Sequence, residues 1–373
     1  MRSSRYEMNN AVFKFGNYLR LLWEALCFCG ALNLLPASAR DIFSGDSKAF
    51  SLKNQDVMIE YINRVQSSWT AGRNFPDDTD EGYLKRLASA WRPERDEQAN
   101  GMVSDTLEDE FNVTYSGADP PAEFDARKKW TNCPSLSHIY DQGNCGACWA
   151  VSSASVITDR ICISSNGKFK DTISAWEILS CCVENKCGFG CDGGLEKKVF
   201  KYYTKHGVVT GGEFGTNQGC MPYEIKPCTH HMGRDGRYKD CDSYNETVVP
   251  SCKTECPNKS YRTPFAQDRH FGKRAYQVNA ADLKKELSEF GPVTMSFEVF
   301  ADFPLYKSGI YHHVTGKSVG WHAVRVIGYG PGYWLALNSW NSEWGDNGQF
   351  KFKSGTNECS SEEDGFQTAL PKE

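Results

Sequence analysis

Cys148 lies in the run Asp141-Gln142-Gly143-Asn144-Cys145-Gly146-Ala147-Cys148-Trp149-Ala150, and apolar residues follow at Ala154, Ile157 and Ile161. That spacing predicts a helix beginning at Cys148. Unpaired backbone N–H groups and the helix dipole favour a thiolate at such a position. A nearby imidazole would complete the activation, taking a thiol from ~8.5 to between about 3.5 and 7.5. The imidazole candidate is His322, in Gly320-Trp321-His322-Ala323-Val324-Arg325-Val326-Ile327, whose β-branched alternation predicts a strand. Gly328 to Gly332 supplies turn residues, and Tyr333 to Asn338 reads as the return strand. Pairing Gly328 with Gly332 across a three-residue loop sets His322 opposite Asn338 on one face. An Asn carbonyl that accepts the imidazole N–H fixes the ring and its tautomer, which completes a nucleophile, a base and an orienting group. Taken singly, a cysteine on a helix and a histidine on a strand are more often structural than catalytic.

The chain around these residues has 373 positions, formal charge −5, 24% charged and 13% aromatic residues, and 16 cysteines. This composition excludes disordered, collagen-like and coiled-coil chains. Without a stripe of Lys and Arg it also argues against nucleic acid as a partner. Residues 1–39 carry Arg2, Arg5, Lys14 and Arg20, an apolar run from Ala25 to Leu35, and the small-x-small pattern Ala37-Ser38-Ala39. They read as a secretory signal peptide. The run is shorter than the roughly 20 residues of a membrane span and is broken by Asn33, so no stable span is expected.

Residues 40–119 hold 16 acidic and 9 basic side chains, and Met58, Tyr61, Ile62, Val65 and Trp69 fall at helical spacing. An amphipathic helix seeking a partner surface is expected, followed by polar stretches at Asp77-Asp78, Arg92 to Glu97 and Glu108 to Glu110 that suit a strap or linker. Fourteen cysteines remain after the signal region, all between Cys133 and Cys359. With an export signal, that density indicates disulfides. A zinc site is the alternative, since Cys187 and Cys191, like Cys252 and Cys256, stand at metal-ligand spacing with His230-His231 between them. No metal or other cofactor is expected. Sequons at Asn112, Asn245 and Asn258 are candidate glycosylation sites on the same export route.

Cys145-Gly146-Ala147-Cys148-Trp149 resembles the active-cysteine signature of the papain-like cysteine peptidases, and nearly the whole chain beyond the signal is similar to their cathepsin B group. The resemblance implies an α+β, disulfide-rich fold of two subdomains. A helical one would carry Cys148 and a β-barrel-like one His322 and Asn338, with a cleft between. It implies Cys148 as nucleophile, His322 as base and acid, Asn338 as orienter, and an oxyanion hole formed by the Gln142 side chain and the Cys148 N–H. The reaction would pass through a thioester acyl-enzyme, with dipeptidyl carboxypeptidase and endopeptidase activity on proteins and peptides.

His322 follows Cys148 by 174 residues (322 − 148), beyond the ~130 to 150 usual in the family. The excess resembles an occluding loop, here about 220–256, in which His230 and His231 would bind a substrate's C-terminal carboxylate. Asp141 matches the acid that latches this loop to His230. Glu343 matches the acid of a second latch, to Arg234 or Arg237. The family frame implies disulfides Cys133–Cys162, Cys145–Cys191, Cys181–Cys252, Cys182–Cys187, Cys220–Cys256 and Cys228–Cys241, leaving Cys148 and Cys359 free. Residues 40–119 resemble the family's inhibitory propeptide through Trp69 to Phe75 and Tyr83 to Leu87, with the peptidase domain spanning 120–373.

Gly193-Gly194 matches the backbone strip that binds extended substrate, and Trp340 the aromatic shielding the Asn–His bond. Trp321 departs from the pattern, standing where the cathepsin B group has glycine; a bulky indole beside the base would narrow the cleft. The segment after Cys359 departs as well, so that Asp364, or Glu363, is the candidate acid for basic substrate side chains. A catalytically impaired secreted binding protein on the same scaffold is the alternative function. The expected location is the secretory pathway, ending in a lysosome, a gut lumen or another extracellular setting.

Overall fold

The computed structural model describes residues 55–77, 79–92, 113–229, 241, 249 and 251–372. The expected signal peptide, His230, His231, Arg234, Arg237, Asn112 and Asn245 lie outside the described residues. Among those described, no helix is long and apolar enough to cross a membrane.

The first helix, α1 (Gln55–Val65), buries Met58 and Ile62 one turn apart and carries Asp56 in its first turn and Arg64 in its last, matching the helix dipole. It ends sooner than the apolar spacing predicts. The Gln66 side chain accepts the N–H groups of Ser68 (2.8 Å) and Trp69 (3.1 Å), which turns the chain out of the helix. Trp69 therefore sits on a strand, β1 (Trp69–Ala71), with its ring buried among Tyr306 and Tyr311, while Val65 is 49% exposed. The next helix, α2 (Glu81–Leu87), starts where the Asp80 side chain accepts the Tyr83 N–H at 3.1 Å.

The long helix α3 (Cys148–Ser164) is enclosed on nearly all sides. Its Ser153 and Thr158 hydroxyls donate back to the carbonyls of Trp149 and Ala154, so these polar groups are satisfied inside the core. Helices α4 (Ala175–Cys181) and α5 (Glu196–His206) complete the helical half, whose core includes Trp149, Ile157, Ile178, Leu179 and Phe200. Strands β2 (Phe124–Asp125), β3 (Gly272–Val278), β4 (Val293–Phe300), β5 (Tyr306–Tyr311), β6 (Ser318–Gly330), β7 (Tyr333–Leu337), β8 (Gln349–Lys353) and β9 (Phe366–Pro371) form the other half with β1. Their order is β1-β5-β8-β7-β6-β4-β9-β3, with β2 beside β6, an open path running from the N-terminal segment to β3. Phe297, Phe303, Trp344 and Phe350 pack ring against ring on one side of it. This is the expected mixed architecture, with an open sheet in place of a closed barrel.

The β6–β7 hairpin departs from the expected register. Gly330 pairs with Tyr333 across a two-residue turn, Pro331-Gly332, with Gly332 at φ +77°, so the loop is one residue shorter than predicted. Between Val326 and Gly328 the register shifts, and beyond the bulge Arg325 faces Leu337. Continued by one residue, that register sets Asn338 against Val324, two positions from His322 on the same face. The halves are fastened near the site by a buried ion pair, in which Arg325 on β6 donates to Asp159 on α3 at 2.7 Å. The same guanidinium donates to the carbonyls of Ser135 and His138, satisfying its remaining N–H groups.

Six disulfides join Cys133–Cys162, Cys145–Cys191, Cys181–Cys252, Cys182–Cys187, Cys220–Cys256 and Cys228–Cys241. All four cysteines of the alternative zinc spacings are therefore engaged as disulfides. Among the described residues the free cysteines are Cys148, buried, and Cys359, half-buried.

Candidate active site

Cys148 is the first residue of α3, held by the Cys145–Cys191 disulfide on one side and by Trp149 on the other, whose indole N–H donates to the Gly190 carbonyl at 3.2 Å. It is fully buried, and burial pushes its thiol up to about 11 against the lowering effect of the Ala323 and Ser89 N–H groups directed at the sulfur. His322 points inward from β6, with its Nε2 2.7 Å from Asn338 Oδ1. That oxygen also accepts the Ser339 N–H at 2.8 Å, which fixes the amide so that its oxygen faces the ring. The imidazole therefore carries its proton on Nε2 and leaves Nδ1 as the basic nitrogen. Trp340 lies 4.8 Å from the ring, centroid to centroid, and Phe297 meets it edge-on at 6.0 Å. This enclosure pulls the imidazole down to about 4, although Asn338 and the Leu87 carbonyl favour the charged form.

Gln142 is fully buried and its amide is oriented by a residue distant in sequence. The Ser339 hydroxyl donates to Gln142 Oε1 at 2.7 Å, and the Tyr223 hydroxyl donates to its backbone carbonyl at 3.0 Å. The Nε2 group is then aimed at the Cys145 carbonyl (2.9 Å) and, across the groove, at the Leu87 carbonyl (3.2 Å). Sequence reasoning passed over Ser339, whose role comes from a contact 197 positions distant.

The N-terminal segment occupies the groove above these groups. After α2, the Ala90 N–H donates to the Trp321 carbonyl at 2.8 Å and the Trp91 N–H to the Gly194 carbonyl at 2.9 Å. The Trp91 indole N–H donates to the Asp192 carbonyl at 3.1 Å. Gly193 is at φ +103°, and a Cβ there would stand 2.1 Å from the Ser89 carbonyl oxygen, so both the backbone shape and the close approach require glycine. Ala90, Cys148 and Ala323 cluster together, and Trp321, partly buried, packs against them as one wall of the groove.

Asp141 sits in a cavity also lined by Glu213 and Glu343. Burial raises its carboxyl to about 6, opposed by the N–H groups of Gly143 and Cys228 and by the Asn341 side chain. The loop expected to reach this cavity is closed by Cys228–Cys241, and its histidines lie outside the described residues. The Asp364 backbone carbonyl accepts the Gln367 side chain at 3.2 Å. Its carboxylate acts on buried Glu196, which burial raises to about 7 and which accepts the Ser296 hydroxyl at 2.9 Å. Glu363, the other candidate acid, pairs with Arg92 of the N-terminal segment.

Residues 120–368 match the model of the papain family cysteine protease domain, and residues 54–88 that of the peptidase family C1 propeptide. The chain is 44% identical over 319 residues to the cathepsin B-like cysteine proteinase of Schistosoma japonicum, covering 83% of this chain and 89% of that protein. It is 39% identical over 321 residues to cathepsin B-like cysteine proteinase 4 of Caenorhabditis elegans, covering 82% and 90%. Among solved structures, procathepsin B S9 from Trypanosoma congolense superposes with TM-score 0.69 at 31% identity over 84% of this chain and 97% of that one. A cysteine at a helix start, an oriented imidazole and an N-terminal segment laid across both thus agree with sequence similarity along most of the chain, which belongs to the papain family of cysteine proteases as a cathepsin B-like peptidase with its propeptide.

Proposed function

We propose that Cys148 is the nucleophile, His322 the general base and acid, and Asn338 the group that orients it. The carrying observation is the 2.7 Å contact between His322 Nε2 and Asn338 Oδ1, which reserves Nδ1 for proton transfer. The thiolate attacks the peptide carbonyl carbon, and the oxyanion that forms is held by the Gln142 Nε2 group and the Cys148 N–H. The C–N bond breaks as His322 gives its proton to the leaving amine, leaving a thioester. Water, deprotonated by His322, then hydrolyses the thioester and frees the thiol. The Leu87 carbonyl, bound by Gln142 in this structure, occupies the place where a substrate carbonyl would be received. Gly193 and Gly194 offer the strip for extended substrate, Trp321 a wall of the cleft, and Trp340 a cover for the Asn–His bond.

The propeptide inhibits by covering this groove, and cleavage frees a domain starting near residue 120. His230 and His231 bind the free C-terminal carboxylate of a substrate, with Asp141 latching their loop, so the enzyme removes dipeptides as well as cutting internally. Residues 1–39 direct the chain to the secretory pathway, a route supported by the six disulfides, and it works in a lysosome or an extracellular lumen.

The test is cleavage of a blocked peptide with a free C-terminus and of its amidated twin, by acid-matured protein and by a Cys148→Ser control. Dipeptide release from the free acid alone, absent in the control, is the expected result. Equal cleavage of both twins removes the carboxylate clamp. No cleavage by folded, matured protein removes the catalytic reading and leaves a binding protein.

A further inference from the structure

Tyr115 and Ser116, just ahead of the junction near residue 120, lie on helix α6 (Leu283–Glu289), an element to which none of the catalytic groups belongs. Glu286 and Glu289 stand three positions apart on α6 and so face the same way. The Tyr115 hydroxyl donates to Glu286 Oε2 at 3.1 Å. That carboxylate is fully buried, and its other oxygen accepts Arg160 Nη2 and the Tyr276 hydroxyl, both at 2.6 Å, so the core fixes the acceptor before Tyr115 reaches it. Ser116 uses both oxygens of Glu289, its N–H donating to Oε2 at 2.8 Å and its hydroxyl to Oε1 at 2.9 Å. The centre of the Tyr115 ring lies 6.1 Å from that of Phe290 and 5.9 Å from the Lys285 ammonium, within the range of aromatic and cation–π contacts. Gly117 follows at φ +80°, and the Ala118 N–H donates to the Ser116 hydroxyl at 3.4 Å, which turns the chain off the helix. The next fixed point is Phe124, paired with Tyr329 on β6 and stacked on its ring at 5.9 Å. Of the seven residues between these anchors, 117–123, all but Pro120 are exposed.

A loop fixed at both ends is drawn into a protease cleft only after one end lets go. Phe124 is held by strand pairing, whereas Tyr115 and Ser116 are held through two carboxylates and a ring contact, so the end that opens first is the one on α6. We propose that Lys285, Glu286, Glu289 and Phe290 form a docking face of the peptidase domain whose occupant is Tyr115–Ser116, and that this clasp shields the junction near residue 120 from cleavage until it opens. The inference rests on the proposed cut near residue 120. It gives α6 a task in maturation separate from the groove, where the propeptide covers the catalytic groups. When opening and closing are fast relative to cutting, the junction is lost at a rate set by the open fraction, so weakening the clasp speeds the cut by the same factor. Contacts at a solvated surface each change that fraction a few-fold, so loss of the Tyr115 hydroxyl and ring together corresponds to about tenfold and loss of the Glu289 charge to about threefold.

The experiment uses the full chain carrying Cys148→Ser, which cannot process itself, exposed to its own matured form and in parallel to subtilisin, with cuts between residues 117 and 123 read by intact mass and N-terminal sequencing. Cutting there is expected to be about tenfold faster in Tyr115→Ala and about threefold faster in Tyr115→Phe and in Glu289→Gln, with both proteases, while cuts elsewhere in the chain keep their rate, which a general loosening would not allow. Hydrogen exchange of the Ser116 amide, slow in the parent chain, is expected to quicken about threefold in Glu289→Gln with no protease present. Cutting rates unchanged in all three variants overturn the clasp as a control on maturation. A Ser116 amide that exchanges at the unprotected rate in the parent chain overturns the docking face itself. A matured product that begins ahead of Tyr115 removes the cut near residue 120 and the shielding with it, while a protected Ser116 amide keeps the docking face. No cutting by the matured form, with subtilisin still faster on the variants, removes the peptidase reading and leaves the clasp.

Discussion

Removing the propeptide should change the chemistry of Cys148 as well as access to it. With the site closed, burial pushes the thiol up to about 11, against the Ala323 and Ser89 contacts, and His322 down to about 4, so both groups are neutral between these values. At pH 7 only about one thiol in ten thousand is then ionised. An uncovered thiol at a helix start beside an imidazole lies between about 3.5 and 7.5 and is largely thiolate above that range. The gain is smaller than the ionised fraction suggests, since a thiolate of lower pKa is a weaker nucleophile by a Brønsted slope of about 0.4–0.5. For an opened thiol near pH 5, ionisation alone gives roughly a twentyfold rise in alkylation rate at pH 7, before any gain in access. Iodoacetamide labelling, read by mass at the Cys148 peptide from pH 5 to 9, measures it. In the uncleaved chain the rate should climb about tenfold per pH unit throughout, whereas in the matured chain it should be nearly level above the opened thiol's pKa. Cys359 provides an internal comparison, because burial and then the neighbouring Glu358 and Asp302 charges raise its thiol, and it should climb steeply in both forms. A plateau below pH 8 for Cys148 in the uncleaved chain would refute the reasoning, since a thiolate would already be present beneath the propeptide.

Asn338→Ala should lower kcat/KM roughly tenfold to a hundredfold by freeing the imidazole from its 2.7 Å contact, checked by steady-state peptide cleavage alongside thermal melting. Glu81 of the propeptide lies 3.0 Å from Lys317 of the peptidase domain, and its carboxyl is held below the ordinary range. Burial opposes the charge there, but the Lys317 and Lys85 ammonium groups outweigh it. A depressed carboxyl contributes docking stability above its free pKa and loses it as pH falls through the docked value, so this contact weakens in acid. Lys317→Ala should speed propeptide loss up to about fivefold near neutrality and little in acid, which a pH series of processing rates would show. Glu286→Ala would strand Arg160, which donates to it at 2.6 Å inside the core, and should cost about 3–5 kcal/mol in denaturant unfolding; a loss below 1 kcal/mol would mean the pair is replaceable.

Much of the site could be read from local pattern, because the start of α3 and the existence of the β6–β7 hairpin are each set by residues within one element. The failures were at the ends of elements and between them. Trp69 keeps the helical period of α1, but the Gln66 side chain ends that helix and the pairing of β1 with β5 decides where the indole goes. The orientation of Gln142 comes from Ser339, and Arg92 meets Glu363 across 271 positions, separations at which periodicity carries no information. Disulfide partners were equally beyond spacing and came only with the family resemblance.

The hairpin shows how a local error can leave a site intact. A two-residue turn without the bulge would continue the pairing of Gly330 with Tyr333 and place Asn338 opposite Arg325, three residues from His322 and so on the other face of β6. The extra residue between Val326 and Gly328 moves Asn338 to face Val324, which restores the parity and brings the amide oxygen to 2.7 Å from the ring. Ile327 itself packs into a separate core with Leu335 and Leu337, so the bulge is held by apolar contacts that take no part in the chemistry. The parity of a single strand position, set by one packed isoleucine, therefore decides whether the histidine has its orienting partner.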